Sequence, residues 1–129
     1  MIISHERLEP LISSLFAAAG CGLEEHARIA RRLVEANLVG HDSHGIIRVP
    51  TYIDWLRAGQ VLANQTPKVV FENSVLAVVD GQFGFGQVMG EEAIKLGLAK
   101  AGRQGVAVVA LRNSGHLGRI GDWAEMAAE

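Results

Sequence analysis

Apolar side chains recur with helical spacing from the start of the chain. From Leu8 to Ala19 they fall every three or four residues, which predicts a helix with Ser4 as a candidate cap. Gly20 and Gly22 follow as stop signals. Pro10 interrupts the pattern, and a proline inside a helix removes a backbone hydrogen bond. Pro10 therefore either kinks this helix or marks a later start.

A second helix is predicted from Leu23 to Val39, with Gly40 ending it. Glu24 and Glu25 fall in its first turn, where the positive end of the helix dipole favours carboxylates. The spacing assigns one stripe of apolar side chains to the core. This stripe is Ala27, Ala30, Leu33, Val34 and Leu38, with Ile29 at its flank.

The second half of the chain changes to strand-like patterns. A β-hairpin is predicted from Lys68 to Glu72 and from Val75 to Val79, although its turn lacks glycine. Gln87 to Ala101 then has helical spacing, and the continuous apolar run from Val106 to Leu111 predicts a strand buried on both faces. A last helix begins near Gly121, and its lack of a stop signal suggests a fragment of a longer chain. Val88, Ile94, Leu98 and Ala101 are the inward residues expected on the helix after the hairpin.

Composition excludes several classes of protein. Twelve basic and 14 acidic residues give a net charge of -2, so there is no basic patch for nucleic acid. The run from Val106 to Leu111 is too short to cross a bilayer, and the N-terminus lacks the pattern of a signal peptide. The single cysteine, Cys21, cannot form an internal disulfide and is expected to be a small residue in the turn before a helix. A cytoplasmic location is expected.

The segment His41–Pro50 brings several reactive groups together. A helical turn beginning near Asp42 or Ser43 would place His44 and Arg48 at positions i and i+4 of one face. The guanidinium of Arg48 matches a carboxylate, and His44 can exchange a proton near neutral pH. Ser43 could orient the imidazole, although neighbouring side chains diverge on a regular helix. This pattern indicates redox chemistry on a 2-oxo or 2-hydroxy acid, while an ordinary solvated helix start is the alternative.

Another helix is predicted from Thr51 to Ala58, with Gly59 as its stop; alternatively, Pro50 bends one longer helix that begins at Ser43. The residues of this helix available for burial are Tyr52, Ile53, Trp55 and Leu56.

A second group of candidates follows the predicted strand, in the loop Arg112–Gly118. Loops at the ends of buried strands are held rigidly enough to bind ligands. His116 is the candidate acid or base there, and Asn113 is a candidate substrate ligand. Alternatively, Asn113 and Ser114 only cap the next helix. We expect His116 to approach His44 and Arg48 across the fold.

Two further patterns are weaker. Gly84, Gly86 and Gly90 give a G-x-G-x-x-x-G spacing, one residue longer than the dinucleotide-binding fingerprint, so a turn that allows close packing is preferred. His41 and His44 could contact a metal from one helical face, but two imidazoles make an incomplete site. Metal-assisted hydrolysis therefore remains only an alternative, and no metal ligand is assigned.

Three separated motifs carry a resemblance to a known family. They are DSHGIIRVPTY at Asp42–Tyr52, DG at Asp80–Gly81 with GFGQ at Gly84–Gln87, and GVAVV at Gly105–Val109 leading into RNSGHLG at Arg112–Gly118. In this order and spacing they resemble the malate/L-lactate dehydrogenase family that is unrelated to the Rossmann-type enzymes. The resemblance covers essentially the whole chain.

The resemblance implies an α+β, non-Rossmann fold in which N-terminal helices precede a helix-wrapped, largely antiparallel mixed sheet. Residues 1–129 would be the N-terminal part, helical to about residue 60, with the start of the α/β cofactor-binding region at about 66–129. It also implies NAD or NADP as cofactor, a small anionic substrate and a homodimer. Most cofactor contacts and a relay aspartate would lie beyond Glu129, so this part alone is expected to be inactive.

By the same resemblance, His44 matches a proton donor, Ser43 its relay partner and Arg48 the ligand of the substrate carboxylate. His116 matches a histidine that serves as acid or base in other members, so the choice between the two histidines stays open, with His44 favoured. The predicted reaction interconverts a 2-hydroxy acid and a 2-oxo acid. Reduction of cyclic imino acids is one alternative, and a non-catalytic binding or assembly module is another.

Overall fold

The structure, a computed structural model, describes residues 2–129 as five α-helices and a three-stranded sheet. Two 3₁₀ turns, Asp42–His44 and Ile46–Arg48, lie between the second helix and the third. The helices are α1 (His5–Ala18), α2 (Leu23–Leu38), α3 (Val49–Arg57), α4 (Gly86–Gln104) and α5 (Gly121–Ala128), and the strands are β1 (Lys68–Glu72), β2 (Leu76–Asp80) and β3 (Val108–Arg112). The order of elements confirms the predicted α+β class.

Pro10 lies within α1 and does not delay its start. The helix begins at His5, and the carbonyl of Ser4 accepts the N–H groups of Arg7 and Leu8 at 3.1 and 3.0 Å. The Ser4 side chain makes no capping hydrogen bond, so its predicted capping role is not realised. The backbone of Ser4 alone starts the helix.

One hydrophobic core joins the helices to the sheet side of the molecule. Phe16 of α1 meets Phe85 edge to face, with ring centroids 5.8 Å apart, and both side chains are buried. Leu33 of α2, Tyr52 of α3 and Met89 of α4 complete the centre of this core. Burying a side chain of this size contributes about 1.5–3 kcal/mol, so these contacts fix α3 and the start of α4 against α1 and α2.

The buried face of α2 differs from the predicted stripe. Ala27 is exposed and Leu38 is 61% exposed, whereas Ile29 and Ala36 are completely buried. Ala30, Leu33 and Val34 are buried as predicted. The prediction was wrong at the edges of the stripe because α2 packs against α1 and α4 at once, which rotates its inward face toward Ile29.

The strands form a mixed sheet in the order β1-β2-β3. β1 and β2 are antiparallel, as the predicted hairpin requires, and β2 and β3 are parallel. The hairpin turn needs no glycine because the Asn73 side-chain oxygen accepts the N–H groups of Val75 and Leu76 at 3.0 and 2.8 Å. An asparagine turn of this kind replaces the turn that a glycine would provide.

β3 was predicted to be buried on both faces, and this was wrong for the described residues. Its side chains alternate between exposed and half-buried, and Val108 is 58% exposed. β3 is the edge strand, and α4 covers only one of its faces, where Gly97 lies against Val109. On α4 itself, Val88 is buried as predicted, Ile94 and Ala101 are half-buried, and Leu98 is 41% exposed.

Cys21 and Glu25 are buried together at the junction of α1 and α2. Burial, and then the charge of Glu25, raises the pKa of the Cys21 thiol to about 12. Cys21 is therefore a small core residue in the turn before α2, as predicted. Among residues 2–129, no helix combines the length and the apolar character that a membrane crossing requires.

Candidate active site

The segment that carries His44 and Arg48 is not the continuous helical turn predicted from its sequence. It consists of the two 3₁₀ turns, which meet at Gly45 in an extended conformation with φ −89° and ψ −150°. The cause is Asn37 near the end of α2, whose side-chain oxygen accepts the N–H of Ile46 at 2.8 Å. The Asn37 amide also donates to Asp42 at 2.6 Å, and a Cβ on Gly45 would overlap the Asn37 side chain. Asn37 therefore shapes this segment from outside it.

The broken helix still brings the three predicted side chains together. The Ser43 hydroxyl lies 2.9 Å from Nδ1 of His44, although a regular helix would have separated these neighbours. Arg48 turns back along the segment, and its Nε donates to the Ser43 carbonyl at 2.7 Å. The terminal guanidinium nitrogens of Arg48 make no hydrogen bond within residues 2–129, so they are available to an anion.

His116 reaches this segment from the loop after β3. Its ring stacks on that of His44 with centroids 5.4 Å apart and planes inclined by 25°. The predicted approach of His116 to His44 is therefore confirmed. The ring of His41 meets His44 edge to face from the other side, at 4.6 Å. Three imidazoles and one guanidinium thus lie in one group, in which His44, Arg48 and His116 are half-buried and His41 is exposed. We call this group the cleft.

The electrostatics of the cleft favour neutral imidazoles. Burial, and then the positive charges of His41 and Arg48, lowers the pKa of His44. Burial, followed by the charges of Arg48 and His44, also lowers the pKa of His116. A bound carboxylate would offset the charge of Arg48 and make protonation of either ring easier. The cleft therefore favours an anionic ligand, and binding of that ligand favours protonation of one of the two histidines.

The glycine-rich segment at the start of α4 allows other parts of the chain to pack closely against it, which is the interpretation preferred from the glycine spacing. The N–H of Gly115 donates to the carbonyl of Gly84 at 2.8 Å, and a Cβ on Gly86 would overlap the backbone of His116. A Cβ on Gly90 would lie 2.8 Å from the ring of Trp123. These glycines therefore allow the loop after β3 and the side chain of Trp123 to approach the start of α4 closely.

The side chain of Asn113 is bound to Asp80. Its amide donates to Asp80 at 2.8 Å, and Asp80 also accepts Arg112 Nε at 3.0 Å and the N–H of Gln82 at 2.9 Å. Asn113 and Gln82 both have positive φ, at 50° and 52°, so Asp80 secures two strained turns at the ends of β2 and β3. No hydrogen bond joins Asn113 to His44, His116 or Arg48 among the described residues. Its role as a substrate ligand stays a prediction.

Sequence reasoning missed four residues that shape the cleft. Tyr52 was predicted only as a core residue, yet its hydroxyl lies 2.9 Å from Nδ1 of His116. Gln87 was not singled out, and it donates to the same hydroxyl at 2.9 Å. Asn37 and Asp80 were not predicted as supports either. Tyr52, Asp80 and Gln87 lie within the motifs that carry the family resemblance, which was one available signal. For Asn37 the only signal was a polar side chain within an apolar helix pattern. Within residues 2–129 no three His, Cys, Asp or Glu side chains are grouped closely enough to hold a metal ion.

Comparison with protein families matches residues 3–129 to the family described as malate/L-lactate dehydrogenase. The chain is 42% identical over 123 residues to hydroxycarboxylate dehydrogenase B of Escherichia coli strain K12, covering 95% of this chain and 34% of that protein. It is 39% identical over 127 residues to L-sulfolactate dehydrogenase of Methanocaldococcus jannaschii, covering 98% of this chain and 37% of that protein. The chain thus spans about a third of the length of these relatives.

Solved structures show the same relationship. A putative malate/lactate dehydrogenase from E. coli superposes with a TM-score of 0.95 at 40% identity, covering 98% of this chain and 35% of that one. The Δ1-piperideine-2-carboxylate reductase of Pseudomonas syringae pvar. tomato superposes with a TM-score of 0.88 at 30% identity, covering 98% and 38%. The part of each structure that this chain matches, about a third of its length, has the same fold as this chain. The chain belongs to the malate/L-lactate dehydrogenase family.

Proposed function

We propose that the protein containing this chain is an NAD- or NADP-dependent dehydrogenase that interconverts a 2-hydroxy acid and a 2-oxo acid. The observation that carries the proposal is the cleft in which the stacked rings of His44 and His116 lie beside Arg48. The relatives named as hydroxycarboxylate and sulfolactate dehydrogenases support the substrate class. A small acid with an oxygen at C2 matches the groups in the cleft.

Arg48 is assigned to the carboxylate of the substrate. Its Nε is tied to the Ser43 carbonyl, which fixes the plane of the guanidinium and leaves the terminal nitrogens for two parallel hydrogen bonds. Because the guanidinium group of Arg48 is already oriented, little side-chain entropy is lost when the carboxylate binds. The carboxylate would hold C2 and its oxygen beside the two imidazoles, which is the positioning that raises the rate of a bound encounter.

His44 is assigned to the proton transfer. In the reduction, C2 gains a hydride, its oxygen becomes an alkoxide, and protonated His44 gives that oxygen a proton and becomes neutral. The hydroxyl of Ser43 on Nδ1 orients the ring, so that Nε2 is the nitrogen left to exchange the proton. In the oxidation the same nitrogen takes the hydroxyl proton. His116 is assigned a hydrogen bond to the same oxygen.

A nicotinamide cofactor, when bound, supplies or accepts the hydride. The glycines of Gly84–Gly90 are engaged in close packing, and no residue of this chain is assigned to the cofactor. The role of residues 66–129 as the start of a cofactor-binding region therefore stays a proposal. A preference between NAD and NADP is not assigned.

Steady-state assays of the intact protein test this function. Pyruvate, oxaloacetate, sulfopyruvate and other 2-oxo acids are offered with NADH and with NADPH, and consumption of the reduced cofactor is followed by absorbance at 340 nm, the usual nicotinamide wavelength. We expect turnover of at least one 2-oxo acid that is lost in Arg48→Ala. An intact, folded protein that binds none of these acids and reduces none would contradict the proposal.

A second candidate substrate class is the cyclic imino acids, which the similarity to Δ1-piperideine-2-carboxylate reductase favours. An imino acid carries the same carboxylate for Arg48 and an imine nitrogen in place of the oxygen. The same panel of assays includes Δ1-piperideine-2-carboxylate. A higher kcat/KM for this compound than for every 2-oxo acid would establish this candidate in place of the first.

We also propose that the intact protein is a homodimer. The described residues leave apolar side chains uncovered on both outer strands of the sheet or next to them, with Val106 and Val108 59% and 58% exposed near β3 and Phe71 54% exposed on β1. Uncovered apolar surface of this kind is typical of a face that another part of an assembly covers. Light scattering after size-exclusion chromatography of the intact protein measures the mass directly, and a monomer would contradict the proposal.

A further inference from the structure

The buried face of the cleft contains a chain of polar groups that ends on His116. Gln87, 1% exposed, donates through Nε2 to the Tyr52 hydroxyl at 2.9 Å. That hydroxyl lies 2.9 Å from Nδ1 of His116, and Tyr52 itself is 2% exposed. Gln87 and Tyr52 are both buried, and the Tyr52 hydroxyl has Gln87 Nε2 and His116 Nδ1 as its hydrogen-bond partners, whereas Oε1 of Gln87 has none within residues 2–129.

A fourth group, the backbone N–H of Gly118, decides which of these groups donates and which accepts each hydrogen bond. The backbone N–H of Gly118 also points at Nδ1 of His116, at 3.2 Å. A hydroxyl can rotate and an amide side chain can be turned over, but a main-chain N–H can only donate. Nδ1 must therefore accept, and a hydrogen on Nδ1 would face the hydrogen of Gly118. The hydroxyl of Tyr52 then donates to Nδ1 and accepts from Gln87.

We infer that Tyr52 is a positioning residue that, together with the Gly118 N–H, holds His116 as the neutral tautomer with its hydrogen on Nε2. His116 then offers the substrate a hydrogen-bond donor and does not serve as the acid that gives up a proton. This inference rests on the proposed function only for the identity of the oxygen that Nε2 contacts. The tautomer itself follows from Tyr52, Gln87 and Gly118.

The same arrangement explains why two adjacent imidazoles can have different tasks. Protonating His116 would place a hydrogen on Nδ1, which would break the hydrogen bond from the Gly118 N–H, a donor that cannot turn, and would end the donation from Tyr52. Protonating His44 opposes no fixed donor, because the Ser43 hydroxyl on its Nδ1 can rotate to accept as well as donate. The proton therefore goes to His44, and His116 stays neutral and donates through Nε2.

Nitrogen NMR of the intact protein, labelled with ¹⁵N in histidine, tests the tautomer without any assay of activity. Long-range ¹H–¹⁵N correlations separate the two neutral tautomers, and the His116 signals are assigned from their loss in His116→Gln. Above the pH range in which histidines titrate, we expect His116 in the parent protein to carry its hydrogen on Nε2. A hydrogen on Nδ1 would overturn the inference, and this measurement needs no variant of Tyr52.

Tyr52→Phe provides the second measurement, since phenylalanine keeps the ring in the core and removes only the hydroxyl. We expect the Nδ1 signal of His116 to shift in the variant while the Gly118 N–H keeps the hydrogen on Nε2. We also expect His116 to titrate at higher pH than in the parent, because one donor to Nδ1 is lost. kcat should fall roughly threefold to tenfold with little change in KM, the size expected for one weakened hydrogen bond. Unchanged NMR signals of His116 in a folded variant would show that Tyr52 only fills the core.

A matched control is available in the same chain. The Ser13 hydroxyl lies 2.7 Å from Nδ1 of His26, far from the cleft in sequence, so Ser13→Ala removes a hydroxyl from a different imidazole. This variant should change the signals of His26 and leave those of His116 unaltered. If the parent shows the Nε2 tautomer and yet no acid is reduced, the inference stands and the proposed function fails. If the enzyme is active but His116 carries its hydrogen on Nδ1, the proposed function stands and the inference fails.

Discussion

The rings of His44 and His116 stack with centroids 5.4 Å apart, although one follows α2 and the other follows β3. Arg48 lies close enough to lower the pKa of both, after the larger effect of burial. Two bases and one fixed cation in a single cleft give the minimum set for holding a carboxylate and moving a proton beside it. Substitutions at these positions separate the tasks of the three side chains.

The first prediction concerns the pH dependence of the reaction. Reduction needs protonated His44, and its pKa is lowered from the usual histidine value, so the reduction rate is high at acidic pH and falls as pH rises through that pKa. Oxidation needs neutral His44 and shows the opposite limb. Profiles of kcat/KM against pH in both directions measure this. His44→Ala should abolish this change of rate with pH, whereas His116→Ala should lower the rate at every pH and keep the same pH dependence.

The second prediction concerns Arg48→Lys, which keeps the positive charge and replaces the planar guanidinium by a single ammonium group. Because a lysine cannot form two parallel bonds to a carboxylate, kcat/KM should fall roughly 10- to 100-fold, the equivalent of about one charged hydrogen bond. Arg57→Lys, at the exposed end of α3, is the matched control and should change kcat/KM less than about twofold. If the two substitutions lower kcat/KM equally, Arg48 is not the ligand of the substrate carboxylate.

The third prediction compares two glycines of α4. A Cβ at Gly86 would overlap the backbone of His116, so Gly86→Ala should displace the loop and lower both stability and activity. Gly102 has open space at its Cβ position, and Gly102→Ala should stabilise the helix by about 0.5–1 kcal/mol. Thermal unfolding and kcat/KM of both variants are measured together. A fully active Gly86→Ala would mean that the loop tolerates displacement.

The fourth prediction concerns Asp80, which secures the turns after β2 and β3. The N–H of Gln82, and then hydrogen bonds from Asn113 and other side chains, lowers the pKa of Asp80 to about 2, although burial opposes this. The stabilisation is therefore complete above the unfolded value of 3.8 and is lost as pH falls toward 2. Denaturant unfolding of the parent and of Asp80→Asn should differ most near neutral pH and converge in acid. A difference that does not depend on pH would contradict this.

Several elements could be predicted from the sequence because they depend on local spacing. α2 and α4 follow a period near 3.6, and the β1–β2 hairpin follows a change to short β-rich runs, so each type of element was recognised. The ends of elements depend on more than spacing: β3 begins at Val108, two residues after its predicted start, because pairing with β2 sets its limits. The glycine spacing before α4 also correctly indicated close packing.

The sequence alone determined the types and order of the elements and the groups available to the cleft, His44, Arg48 and His116. Only the tertiary structure brought the Tyr52 hydroxyl to Nδ1 of His116, because the two residues are 64 positions apart in the sequence. It also decided that the segment after α2 forms two 3₁₀ turns, since Asn37 holds Ile46 there. Local periodicity encodes which residues share a face, whereas contacts between distant residues depend on how those faces pack together.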